Sequence, residues 1–110
     1  TNKELLFYNF QNSIMRTKFM ARVRFTSHLK RFFPDLTNGE TVDGNTVSEV
    51  VAALDARHPG LGSYIVDESG ALRKHVNIFI GDTLVSDHQH LQDPVASETV
   101  LYIMQALSGG

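Results

Sequence analysis

One helix start is written into this chain more plainly than any other local signal. Thr46-Val47-Ser48-Glu49 has the capping-box pattern, in which a threonine hydroxyl accepts from the amide three residues on while the glutamate reaches back to an orphan donor. Val47, Val50, Val51, Leu54 and, one turn further, His58 keep the i, i+3, i+4, i+7 spacing of one apolar stripe. Pro59-Gly60 supplies the stop. The prediction is an amphipathic helix of about three turns with a single apolar face. On both sides of it the apolar residues alternate with period two, so the helix has a sheet to cover, and one helix covers only one side.

The strands follow from that alternation. Residues 21–26 place Val23 and Phe25 inward with Arg22 and Arg24 outward, the pattern of a half-buried strand. Residues 27–35 hold Leu29, Phe32 and Phe33 around Lys30 and Arg31, and Pro34 closes them. Thr37-Asn38-Gly39 is turn chemistry, so residues 40–42 form a short second strand returning beside the first and ending at Asp43-Gly44. After the helix, residues 61–72 are a connection with a turn at Asp67-Glu68-Ser69-Gly70, in which Tyr64, Ile65 and Val66 pack as a short helical or extended piece.

Residues 75–80 alternate again, with Val76, Ile78 and Ile80 on one face and Gly81-Asp82 ending the strand. Residues 83–85 are a short strand at best, and residues 86–94 a polar loop in which Leu91 plugs the core. Residues 98–105 are strongly apolar, as a strand flanked on both sides should be. The order strand, strand, helix, strand, short strand, strand predicts an α+β fold: a mixed sheet with one main helix packed on one face. With Val76, Ile78 and Ile80 toward the helix, Phe79 falls on the open face near Tyr102. Exposed aromatic residues on a sheet are candidate partner-binding positions.

Composition narrows the chemistry. The chain has 110 residues, enough for one domain that buries roughly two thirds of its unfolded surface. Its net charge of -2 gives no electrostatic reason to expect nucleic acid. It contains no cysteine, hence no disulfide, thiolate nucleophile or cysteine metal site. No apolar run approaches the about 20 residues of a membrane span, and no secretory leader pattern is present, so a cytoplasmic location is expected. His88-Gln89-His90, with Asp82, Asp87 and Asp93 nearby, lacks the spacing of a four-ligand zinc site and reads as a solvated loop, so no metal is expected. His28, His58 and His75 read as surface or helix-end residues. No G-x-S-x-G elbow or phosphate-binding loop occurs. The basic set Arg16, Lys18, Arg22, Arg24, Lys30 and Arg31 reads as a solvated face or, alternatively, as a docking surface that speeds association with an acidic partner. Residues 1–19 carry Leu5, Leu6, Phe7, Tyr8, Phe10, Ile14 and Met15 without a clean period. They form an N-terminal extension of unassigned role, and self-association through this hydrophobic arm stays open.

The last stretch, residues 100–110, reads V-L-Y-I-M-Q-A-L-S-G-G. A strand runs into a small-residue tail ending at the carboxylate of Gly110. Glycine has no Cβ, so a Gly-Gly end can enter a channel too narrow for side chains. Read alone, Ser108, Gly109 and Gly110 are first of all a frayed terminus, as most chain ends are. Residues 107–110 reach about 13 Å at the extended spacing of roughly 3.3 Å per residue.

His75-Val76-Asn77-Ile78-Phe79-Ile80-Gly81-Asp82, followed by Val100-Leu101-Tyr102-Ile103 and the Ala106-Leu107-Ser108-Gly109-Gly110 end, resembles the prokaryotic ubiquitin-like sulfur carriers. These include the thiamine-pathway carrier, the small subunit of molybdopterin synthase and the cysteine-pathway carrier. The resemblance covers residues 20–110. The piece from Arg57-His58-Pro59-Gly60-Leu61 through Asp67-Glu68-Ser69-Gly70 to Arg73 is most similar to the cysteine-pathway branch. Ser97-Glu98 stands where many members have a Gly-Asp turn, and Met104-Gln105 where many have a proline near the tail, which leaves the branch open.

What the resemblance implies is a β-grasp domain over residues 20–107 and a flexible tail at residues 108–110. A partner enzyme would adenylate the Gly110 carboxylate with ATP, and a sulfur donor would displace AMP to leave a thiocarboxylate that donates sulfur in cysteine, thiamine or cofactor biosynthesis. The reacting positions would be Gly110 and Gly109, and the partner contacts Leu107 and Ser108 together with Phe79 and Tyr102. The chain would be a protein substrate, not an enzyme, with no cofactor of its own. Its partners would be the adenylating enzyme and a sulfur-acceptor enzyme, with no nucleic acid and no membrane. The alternatives are the small subunit of a molybdopterin-synthase-type complex, a ubiquitin-like protein modifier, and an interaction module with an inert tail.

Overall fold

The computed structural model describes residues 20–105. Five strands and two helices follow in order: β1 (Met20–Phe25), a 3-10 turn (Ser27–Arg31), β2 (Glu40–Asp43), α1 (Val47–Arg57), α2 (Gly62–Ile65), β3 (Val76–Ile80), β4 (Thr83–Leu84) and β5 (Val100–Gln105). The strands form one mixed sheet in the order β2-β1-β5-β3-β4. β1 and β5 run parallel at its centre, and the other neighbours are antiparallel. This is the α+β, ubiquitin-like β-grasp arrangement that the element order predicts.

The core lies between the sheet and α1. Val47, Val50, Val51 and Leu54 are the buried residues of α1. They meet Ala21 and Val23 of β1, Val42 of β2, Val76 and Ile78 of β3, and Leu101 and Ile103 of β5 in one cluster. The register is tightly set: Val23 pairs with Leu101 and Ile78 with Ile103. A slip by one residue would turn those four side chains outward, and each loses about 1.5–3 kcal/mol of burial on exposure. β5, predicted to be flanked on both sides, is the central strand.

The polar loop after β4 closes the bottom of the core as expected, with Leu91 buried. Leu91 adopts the left-handed region at φ 53°, which costs a non-glycine residue of order 1–3 kcal/mol. Burial of its side chain offsets that cost, and the loop is tied down by Ser48 N donating to Leu91 O at 2.8 Å. Leu91 N in turn donates to Asp87 O at 3.0 Å. The segment read as helical or extended at residues 64–66 is α2, with Val66 leaving it in extended conformation.

The expected helix cap is present, with one adjustment. Thr46 Oγ1 accepts from Glu49 N at 3.2 Å, while Glu49 Oε1 accepts from Asn45 N at 2.9 Å, one residue ahead of the threonine. The chain before it passes close to the helix: a Cβ on Gly44 would lie 2.7 Å from Val50 Cγ2 and 2.9 Å from Val50 N. The expected N-terminal extension, residues 1–19, and tail, residues 106–110, lie outside the described residues.

Candidate docking face and tail exit

Among the described residues no helix covers the sheet's second face. Inward and outward positions alternate along each strand, so the open face presents Arg22 and Arg24 of β1, Tyr102 and Met104 of β5, Asn77 and Phe79 of β3, and Leu84 of β4. Phe79 lies directly opposite Tyr102 on one side and Leu84 on the other. The predicted pair of aromatic positions is therefore brought together as cross-strand partners. Tyr102 is 37% exposed, Leu84 43% and Met104 45%. Together with Phe79 they make a contiguous apolar patch across β4, β3 and β5, the kind of surface that marks a protein interaction site.

β5 ends at Gln105, in the middle of the sheet. Thr26 N donates to Ile103 O at 3.2 Å, Gln105 N donates to Thr26 Oγ1 at 3.4 Å, and Gln105 pairs with Val76 on β3. The exit thus sits between the connection following β1 and the start of β3. Leu107, Ser108, Gly109 and Gly110, the remaining site residues expected from sequence, lie outside the described residues.

The connection beside the exit is held by a side-chain network that sequence reading did not assemble. Glu40, the first residue of β2, points to the helix side and its side chain is almost wholly buried. Its Oε1 lies 2.6 Å from His58 Nε2 and accepts from Arg57 Nη1 at 3.1 Å. Its Oε2 accepts from Thr37 N at 3.2 Å and Thr37 Oγ1 at 3.3 Å. Arg57 also donates to Thr41 O at 3.0 Å. One carboxylate thereby ties the C-terminal end of α1 to β2 and to the connection that borders the exit. Burial alone would push the Glu40 carboxyl upward. The hydrogen bond from His58 and those from Thr37 and Arg57 outweigh it and hold the group below its ordinary value.

This corrects the reading of His58 as a surface or helix-end residue: it ends the helix but is only 9% exposed. The signal was available. His58 falls on the stripe of Val50, Val51 and Leu54, and Glu40 shares the parity of Val42, so period arguments place both indoors. Two buried polar groups at the same end of the core need each other.

The loop with His88 and His90 uses its acids locally. Asp87 Oδ1 accepts from His90 N at 2.9 Å and Oδ2 from Gln92 N at 3.1 Å. Asp93 accepts from Ser86 N and Asp87 N at 3.0 and 2.8 Å. Those backbone donors hold both carboxyls below their usual range. Among the described residues no group of three or more His, Asp or Glu side chains is placed to hold a metal, and no helix is long and apolar enough to cross a membrane.

A central strand ending in the middle of a mixed sheet with one helix packed across it is a ubiquitin-like β-grasp domain. Structural neighbours agree. SAMP1 from Haloferax volcanii superposes with a TM-score of 0.68 at 22% identity, over 83% of this chain and 99% of its own. A chain of the Amycolatopsis orientalis BexX/CysO complex gives 0.66 at 27%, over 82% and 99%. Mycobacterium tuberculosis CysO gives 0.65 at 24%, over 79% and 99%. No curated protein sequence matches significantly. The ThiS family model matches residues 23–110, and the chain belongs to the ThiS family.

Proposed function

We propose that this protein is a sulfur carrier whose C-terminal Gly110 carboxylate is the reacting group. The observation that carries the reading is the reach of the family match, which begins inside β1 and extends through the Gly-Gly end to Gly110. A carboxylate is a poor electrophile until an oxygen is converted to a leaving group. An adenylating partner would join it to the AMP moiety of ATP with loss of pyrophosphate. Sulfide would then attack the acyl carbon and expel AMP, leaving a thiocarboxylate to hand sulfur to an acceptor enzyme.

The chain itself supplies no acid, base or nucleophile to these steps, so it acts as a protein substrate and ATP belongs to the partner. Its contribution is presentation. A tail free of side chains at Gly109 and Gly110 admits the acyl carbon to a narrow site, and Leu107 and Ser108 contact the channel wall. Phe79 and Tyr102 on the open face supply the apolar docking patch. The likeness to a chain of a two-protein complex, BexX/CysO, supports a carrier that works against a second protein.

Incubating the full chain with ATP, an adenylating enzyme of the same organism and a sulfide source should raise its intact mass by the exchange of one oxygen for sulfur. Loss of that gain on deleting Gly110 locates the product. Wild-type chain that never acquires the sulfur with any such enzyme sinks the proposal. Diglycine remnants on lysines of other proteins would redirect it to a modifier.

A further inference from the structure

The two ends of the sheet carry opposite charge. Lys30 and Arg31, exposed on the connection after β1, and exposed Lys74, just ahead of β3, flank the point where the chain leaves β5. Asp35 is the exposed acid in the same connection. The far end, where α1 starts and β5 begins, exposes Glu49, Asp82 and Glu98, with Arg22 the exposed base opposite the first residue of β5. The basic residues also differ in what they do. Arg57 is committed to Glu40 and Thr41 O and Arg73 Nε to Ser63 O at 2.7 Å. Lys30, Arg31 and Lys74 form no ion pair with any described residue.

Phe32 lies beside them, 52% exposed, yet not loose. Its ring stacks on Tyr64 of α2 at 5.4 Å and 29°, and Tyr64 is braced edge-on by Phe33 at 5.4 Å. A rigidly held exposed aromatic ring on the same connection as two cations that form no ion pair with any described residue has the make-up of an interface anchor with a charged rim. It stands at the exit, among residues of the β1–β2 connection and α2, and so is separate from the open-face patch of Phe79 and Tyr102.

We propose that this end is a second docking surface, for the adenylating partner, and that the entrance through which the partner receives the tail is rimmed by carboxylates. The inference rests on the proposed function. Lys30, Arg31 and Lys74 meet the acidic rim, and Phe32 enters an apolar recess within it. With the acids of the described residues gathered mostly at the far end, these cations turn the exit toward such an entrance during approach, which accelerates association more than it deepens affinity. The same far end and the overall charge of -2 oppose binding of a nucleic acid.

The test is association of the full chain with its host's adenylating enzyme, followed by surface plasmon resonance at low and high salt, about 0.05 and 0.5 M. The Lys30→Glu/Arg31→Glu variant should associate at least tenfold more slowly than wild type at low salt, with dissociation little changed. High salt should erase most of the difference. Phe32→Ala should speed dissociation instead. Ser97→Glu, which adds negative charge at the far end, should leave association near wild type, and melting curves confirm that each variant folds. Unchanged association of Lys30→Glu/Arg31→Glu, while the wild type still acquires sulfur, overturns this inference alone. A wild type that does not bind the enzyme at all overturns it together with the functional reading. Duplex DNA binding the wild type as tightly as the enzyme, and losing it in the same variant, would assign the surface to nucleic acid instead.

Discussion

The two ends of α1 are closed by different means. At its start the side-chain partners are within a few residues: Thr46 accepts from Glu49 N, and Glu49 returns to Asn45 N, while the amides of Val47 and Ser48 donate to Asp93 O and Leu91 O of the loop after β4. At its end the partners come from the other side of the fold, with Glu40 meeting Arg57 and His58 across 17 and 18 positions of chain. The first end is solvent-exposed and the second buried. A local cap needs only the helix to form. The distant one needs β2, α1 and the connection bearing Thr37 already in place, so it reports whether the tertiary structure is complete.

The sharpest way to break this contrast is Glu40→Ala. It leaves His58 buried without its partner and frees Thr37, and should cost about 2–4 kcal/mol in chemical denaturation. A loss no larger than that of a surface substitution would show that the far end is held by packing alone. Gly44→Ala should follow at about 1–3 kcal/mol, because the added methyl has no room beside Val50. Thr46→Ala should cost about 1 kcal/mol, the ordinary value of an N-cap.

Acid should separate the two ends further. The folded-state Glu40 carboxyl sits below its ordinary value of 4.5, so its stabilisation is complete above that pH and is lost as pH falls through the lower folded value. Stability curves of wild type and Glu40→Ala should therefore converge in acid and stay apart at neutral pH. The smallest effect belongs to Tyr102→Ala on the open face: under about 0.5 kcal/mol of stability, but weaker binding to the adenylating partner, measurable by the same plasmon-resonance experiment.

This contrast also explains what the sequence could show. Signals carried by local spacing were legible: the Thr46 cap, the Val47 to Leu54 stripe, the alternation that put Phe79 on the open face, and Leu91 as the one apolar residue of a polar loop. The Glu40–His58 pair was not assembled, although each residue's period placed it inside, because nothing in a linear pattern says which buried polar groups meet. The 3-10 turn at Ser27–Arg31 was likewise unassigned; its single buried side chain, Leu29, is too little for a period to emerge. The stacking of Phe32 on Tyr64 joins two segments more than thirty positions apart, and neither segment carries a pattern that points to the other. At the candidate site, the resemblance named the tail proposed to react, while the cations around the end of β5 that pair with no described acid emerged only once β1, β3 and β5 were set side by side.

The central place of β5 has a mechanical consequence. A partner that draws the tail into a channel pulls on a strand bonded along both edges, parallel to β1 and antiparallel to β3. Such traction loads two ladders in shear together, so their bonds must fail collectively instead of one after another as they would at an edge. The domain can thus withstand a tug on its terminus, and the two-residue edge strand β4 is the element that peels away first.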